Sequence, residues 1–440
     1  SLQIDTTNLE KLSEKLNNYV EKKAPPNFKL INIDDIILKI GTKESFDTRY
    51  FYSSRALYSV NFFREYSDFV KPIFMAAKGK AKKALIMDCD NTLWHGILGE
   101  DGYQSIEMSN KTKDGSIFSE IQNILLSLNS KGILLGLCSK NNEADVVEVL
   151  TSHPDMQIRM KHITINKSNW NDKATNILEI SDELNIGLDS IVFIDDSSFE
   201  INLVKDSLPM VTTIQRPENL NEYPNMLRSK LDLFYNLSHT KEDKKKSDMY
   251  KQQVKRKELE NKSSSLESYL VSLELKLNIF SDKTDVVPRM SQMSQKTNQF
   301  NLTTKRYTES DITNFLTSKN HIVYSFSVSD KFGESGLTGL CIVSLDFKSK
   351  IAHIDTLLMS CRIIGRNIEY AFFDYLIENL KNKGIEKLEA KYIITPKNSQ
   401  VSNFFDNCSF NLITENTSFK EYLLNISEYN MKNINYIEVK

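Results

Sequence analysis

The chain has 440 residues, 56 Lys and Arg against 58 Asp and Glu, and a composition that is 40% hydrophobic and 26% charged. That length suggests two or three domains of about 150 residues. Fibrous and wholly disordered chains are excluded, and the balanced charge argues against nucleic-acid binding through bulk basicity. An odd set of cysteines without CxxC spacing (Cys89, Cys138, Cys341, Cys361, Cys408) fits a reducing compartment better than a disulfide framework or a zinc site. No apolar run approaches the roughly 18 residues that span a bilayer. The opening residues lack a signal-peptide layout. The expectation is a cytoplasmic protein with neither membrane nor nucleic acid as its partner.

Residues 1–80 read as a short helical segment, opening with LEKLSEKLNNYVEKK, whose apolar residues recur at helical spacing and stop at Pro25–Pro26. The period then changes. ALIMDCD from Ala84, ILLGLCSK (133–140) and SIVFIDD (190–196) are short apolar runs, and helix-like stretches separate them. Strands alternating with helices predict a parallel sheet covered on both faces, here over residues 81–239. Ligands of such sheets bind beyond the carboxyl ends of the strands. Residues 240–265 are dense in charge and read as a solvated linker helix. Residues 266–440 predict a second unit. YLVSLELKLNIF, HIVYSFSVSD, LTGLCIVSLDF and IAHIDTLLMS look like strands, and NIEYAFFDYLIENLKNKG is a long amphipathic helix stopping at Gly384. The fold class is therefore α/β.

Polar residues stand where each strand of the first unit ends. Asp88 and Asp90 lie two residues apart, so one carboxylate can attack while the other moves protons. Ser139 and Lys140 follow the second run, Lys173 follows NWND, and Asp195–Asp196 close the third. A hydroxyl and a lysine can hold a phosphoryl group, and clustered carboxylates bind Mg²⁺.

In this order the segments DCDNT, CSK, WNDK and FIDD resemble the haloacid dehalogenase superfamily of phosphoryl-transfer enzymes, with its Rossmann-like sheet. The resemblance implies Asp88 as nucleophile and Asp90 as acid/base. It makes Ser139 and Lys173 phosphate contacts, with Asn91, Thr92 and Lys140 beside them at the substrate. Asp88, Asp90 through its carbonyl, Asp195 and Asp196 would hold Mg²⁺. A narrower likeness runs from about residue 45 to the end. DCDNTLWHGILGEDG, LCSKNNEADV, QKTNQFNLTTKRYTE, FGESGLTG and IDTLLMSCRIIGR resemble the FkbH-like proteins, which join such a phosphatase domain to a domain similar to the GNAT acyltransferases.

What that likeness implies is glyceryl transfer. A small phosphorylated three-carbon donor, 1,3-bisphosphoglycerate, gives its acyl group to an enzyme cysteine. Phosphate is removed, and glyceryl passes to the phosphopantetheine thiol of an acyl carrier protein. Cys138, at the end of a strand beside Ser139, is the expected acyl-carrying cysteine, with Cys89 and Cys361 as alternatives. Strand side chains alternate, so Cys138 and Ser139 reach the same side only if the strand ends between them. Lys296, Asn298 and Arg306 are expected to hold the glyceryl hydroxyls, and Arg362, Gly365 and Arg366 the pantetheine phosphate at a helix start. The lysines at 241–262 would steer an acidic carrier. Rival expectations are a stand-alone phosphatase of a small phosphometabolite and a non-catalytic scaffold.

Overall fold

The computed structural model describes residues 8–24, 28–236 and 246–440. The expected stop at Pro25–Pro26 and the linker residues 240–245 lie outside them. The first helix, Asn8–Lys23, exposes its apolar Leu12, Leu16 and Tyr19. The helix Val60–Ala77 is capped by Ser59, whose hydroxyl accepts from the Phe62 amide, and it buries Phe62 and Ala76.

The first sheet has five strands: β1 (Ala84–Met87), β2 (Leu134–Ser139), β3 (Ile163–Ser168), β4 (Ile191–Asp195) and β5 (Thr212–Gln215). All pair in parallel, in the order β3-β2-β1-β4-β5. β1 is buried at every residue because helices cover both faces. Leu85 and Met87 enter a core with Phe118 and Ile121. Ala84 and Ile86 enter the opposite core, with Ile177 and Ile180 from the helix Lys173–Leu184. Gly136 in β2 lets the strands close up: a Cβ there would stand 2.7 Å from Ile86 Cδ1 and 2.9 Å from Ile165 Cγ2. Since β2 and β4 flank β1, the chain reverses direction across the sheet at β1, and the crevice opens beyond the carboxyl ends of β1 and β4.

The sequence pattern shows three of these five strands. β3 ends in Asn-Lys-Ser and β5 is four residues of mostly polar type, so neither presents an apolar run. The linker reading needs a correction. The helix Lys246–Lys262 is not solvated all round but buries Met249, Tyr250 and Arg256. Arg256 pairs with the buried Asp330 at 2.6 and 2.8 Å, and Arg366 reaches the same carboxylate at 3.3 Å. Toward the first sheet, Tyr250 joins the core under β1 and Lys251 donates to the carbonyls of Met160 and Lys161. A helix with so little apolar periodicity is held in place by these few anchors.

The second sheet contains β6 (Leu275–Ser281), β7 (Phe300–Asn301), β8 (His321–Asp330), β9 (Gly333–Asp346), β10 (Ile351–Met359), β11 (Lys387–Ile393), β12 (Asn411–Glu415), β13 (Phe419–Asn425) and β14 (Ile437–Val439). The order is β12-β13-β11-β10-β9-β8-β6-β14, with β7 paired to β10. The first four residues of YLVSLELKLNIF are helical instead: Leu266–Ser272 starts from a Ser265–Ser268 capping box. β10 and β11 pair only over Ile351–His353 and Lys387–Glu389 and then part. The chain's own residues fill the wedge. β7 pairs with β10, Leu302 N donates to Leu357 O at 3.1 Å, and Ile393 N donates to Leu302 O at 2.8 Å. The long helix Ile368–Asn382 packs beneath and ends at Gly384, with φ +76°. Among the described residues no helix is long and apolar enough to cross a membrane.

Candidate active site

Beyond the carboxyl ends of β1 and β4, Asp88, Asp195 and Asp196 bring carboxylate oxygens within 4.8 Å of one another. Lys173, at the first position of its helix behind the Asp172 cap, reaches Asp88 Oδ1 at 3.0 Å and Asp195 Oδ2 at 2.5 Å. All three of these side chains are buried. Burial pushes the Asp88 carboxyl up against the pull of Lys173. Burial and the Asp88 charge raise Asp195 to about 7. Asp196 moves the same way for the same reasons. Burial works against the Lys173 ammonium, yet the two aspartates outweigh it and hold its pKa above the usual lysine value. Lys173 and, at 3.7 Å from Asp196, Arg216 are two cations for three crowded acids, which leaves negative charge over. A hard divalent cation with oxygen ligands suits that surplus.

Asp90 is aimed by three donors: Trp94 Nε1 at 3.1 Å and Leu98 N at 2.9 Å on one oxygen, Asn141 Nδ2 at 2.8 Å on the other. Its carboxylate is therefore set apart from the three-acid group. Asn141 also donates to Ser139 Oγ at 3.0 Å, and Ser139 hydrogen-bonds Asp88. Asn141 was not distinguishable from Asn142 beside it in the sequence; only its position at the end of β2 singles it out. Asn91 shapes the loop, with φ +51° and its Oδ1 accepting from Gly96 N at 3.1 Å. Thr92 is buried, with its carbonyl accepting from the Tyr223 hydroxyl. Lys140 stands at the rim, paired with Glu200 at 2.6 Å. Arg216 approaches Asp196 at 3.7 Å and carried no signal in the sequence.

Cys138 is corrected to a packing residue. Strand alternation turns it into the core under the helix Lys173–Leu184, opposite to Ser139, and its thiol approaches the Lys173 carbonyl at 3.8 Å. Burial raises its pKa to about 12, which suits no thiolate nucleophile. Cys89 is also buried, and burial together with Asp88 pushes its thiol well up.

The remaining expected residues gather elsewhere. Lys296, Asn298 and Arg362 line a cavity of about 190 Å³ between the two sheets. Arg306 does not line it. Its guanidinium donates to the carbonyls of Ser294 and Thr297 and to Asn298 Oδ1, bracing the loop after the helix Val287–Lys296. Asn298 in turn donates to Gly79 O at 3.3 Å. Arg366 is likewise taken up by Asp330, Gln253 and the Arg362 carbonyl, and burial with nearby Arg256 lowers its pKa to about 10. Gly365, with φ +82°, is exposed outside the cavity. The expected phosphate-binding turn at 362–366 is thus partly consumed by packing against the linker helix. Of the steering lysines, Lys241, Lys244 and Lys245 lie outside the described residues, and Lys251 and Lys257 are engaged within the chain.

No family model and no curated protein matches the chain. Among solved structures, it is similar to the N-terminal part of a Bacteroides fragilis protein that contains a phosphatase domain complexed with Mg. The identity is 36%, over 52% of this chain and 60% of that one, with a TM-score of 0.47. The chain thus spans less than two thirds of that protein part. It is also similar, at 14% identity and a TM-score of 0.28, to the Escherichia coli ribosomal-protein-alanine N-acetyltransferase, over 36% of this chain and 97% of that one. A Vibrio cholerae spermidine/spermine N-acetyltransferase is 12% identical over 35% of this chain and 95% of its own, with a TM-score of 0.28.

Proposed function

We propose that the chain is a Mg²⁺-dependent phosphoryl-transfer enzyme of the haloacid dehalogenase type, joined to an acyltransferase-like unit. The observation that carries this reading is the Asp88–Lys173–Asp195 arrangement at the switch point of the parallel sheet, with Asp90 separately oriented two residues after the nucleophile. An Asp88 oxygen attacks phosphorus, and the bond to the leaving oxygen breaks as Asp90 supplies that oxygen with a proton. In the second step Asp90 takes a proton from water, whose oxygen displaces Asp88 and frees inorganic phosphate. Lys173 and Ser139 orient the nucleophile and face the phosphoryl oxygens. Asp88, Asp195 and Asp196 would hold Mg²⁺, which supplies charge neutralisation at the phosphoryl group.

The finer reading is glyceryl transfer from 1,3-bisphosphoglycerate to the phosphopantetheine thiol of an acyl carrier protein. The FkbH-like segments support it. It is tested by incubating the chain with that donor, Mg²⁺ and a phosphopantetheinylated carrier protein, and weighing the intact carrier. A glyceryl adduct is expected. Phosphate release with an unmodified carrier would leave a stand-alone phosphatase, the reading favoured at the Asp88 end by the burial of both Cys89 and Cys138.

A further inference from the structure

Two aromatic side chains stand almost bare on either side of the Asp88 centre. Trp170, 71% exposed, lies two residues past Ser168, which pairs with Ser139 at the end of β2. Phe199, 69% exposed, lies four residues past Asp195, in the first turn of the helix Ser198–Ser207. Asn142 Oδ1 accepts from Trp170 Nε1 at 3.3 Å, which sets the position of that ring. β3 and β4 are three places apart in the sheet, with β2 and β1 between them. At about 4.8 Å per strand the two turns are about 14 Å apart, with the carboxyl end of β1 between them. A three-carbon phosphate ester is too short to touch both.

The surrounding turns are acidic. Exposed acids that follow the strands of this sheet include Glu100, Asp101, Glu143, Asp145, Asp172 and Glu218. Among the described residues none of these six pairs with a lysine or arginine. The hydrogen bonds to Asp101, Asp145 and Asp172 come from neutral donors: Ile97 N, Asn142 Nδ2 and Thr175 N. Glu143, Asp145 and Asp172 stand at helix starts, whose dipoles absorb part of their charge. Glu100, Asp101 and Glu218 have no long helix directly behind them. The exposed cations of the same turns are Lys111, Lys113 and Lys140. Asp155 holds the first and Glu200 the last. Surplus carboxylates and exposed aromatic faces attract the same thing, a cationic group. The same charges repel nucleic acid and any acidic protein.

We propose that this face docks a lysine- and arginine-rich polypeptide segment of a protein partner, laid across the mouth of the Asp88 crevice. An extended segment rises about 3.3 Å per residue, so cations four residues apart span the turns of Trp170 and Phe199. The segment's other basic side chains meet the carboxylates on either side. The partner is therefore opposite in charge to an acidic carrier protein, and the proposal does not depend on what Asp88 acts on.

The test is a titration of the full chain with deca-lysine at low salt, followed by acrylamide quenching of tryptophan fluorescence. Trp94 is fully buried, so the quenching reports on Trp170. Deca-lysine should shield Trp170, and deca-glutamate should not. Phe199→Ala should weaken the binding about threefold. Glu143→Lys combined with Glu218→Lys should weaken it about tenfold. Glu378→Lys, at an exposed acid on the helix Ile368–Asn382 of the second unit, should leave it unchanged. No shielding, equal shielding by deca-glutamate, or an equal loss of affinity in Glu378→Lys would overturn the proposal. Equal shielding by spermine at the same concentration of charge would also overturn it, because the occupant would then be a small polyamine. The readout is binding alone, so its failure is separate from any failure of the Asp88 chemistry.

Discussion

Lys173 stands between two buried carboxylates, and its position decides the behaviour of the whole centre. Replacing it by methionine leaves Asp88 and Asp195 facing each other without a counter-charge. The expected cost is about 3–5 kcal/mol in urea unfolding, with part of it recovered when MgCl₂ is added. Asp88→Asn has a different signature. It should lower the turnover of a phosphate monoester at least about 1000-fold and abolish the rise in melting temperature expected of the wild type in Mg²⁺. At a Mg²⁺ concentration 100 times Kd that rise corresponds to about 2.7 kcal/mol. A thermal shift retained in Asp88→Asn would place the cation elsewhere. The cysteines show the limit of reading residues singly. Cys138 and Ser139 are adjacent, yet alternation sends one into the core and the other toward Asp88 and Asn141. Chemistry alone could nominate either.

The elements of the first sheet were legible where apolar runs end in polar residues, because a strand buried on both faces has to be continuously apolar. β1, β2 and β4 meet that condition, whereas β3 and β5 do not. Close strand packing at Gly136 leaves little room, so Gly136→Ala should lose about 1–3 kcal/mol of stability, measured by chemical denaturation. The helix Lys246–Lys262 was misread for the opposite reason. Its surface is overwhelmingly polar, and what fixes it is a buried ion network, Arg256–Asp330–Arg366, between residues far apart in the chain. Periodicity carries no trace of such a network. Arg256→Ala should destabilise the chain by about 3–5 kcal/mol, because Asp330 then stays buried with the longer contact to Arg366 as its remaining ion pair.

At the scale of the whole molecule, that helix ties the two sheets together, so they are expected to unfold in one transition. The two tryptophans, Trp94 and Trp170, both belong to the first unit, while circular dichroism reports on both. Fluorescence and dichroism melts should coincide in the wild type and separate in Arg256→Ala. Separate transitions in the wild type would deny the coupling. The same assembly sets the Asp88 centre and the cavity lined by Lys83 at opposite ends of β1.

The sequence by itself determined the α/β class, the order of the four segments DCDNT, CSK, WNDK and FIDD and the polar residues at the strand ends, because strand burial and strand-end chemistry leave local patterns. Tertiary structure alone decided which face each cysteine takes, that Arg306 and Arg366 serve the chain's own carbonyls and acids, and that Lys296, Arg362 and Cys361 share one cavity. Those outcomes depend on register and on contacts between distant segments, and no short stretch of sequence encodes them.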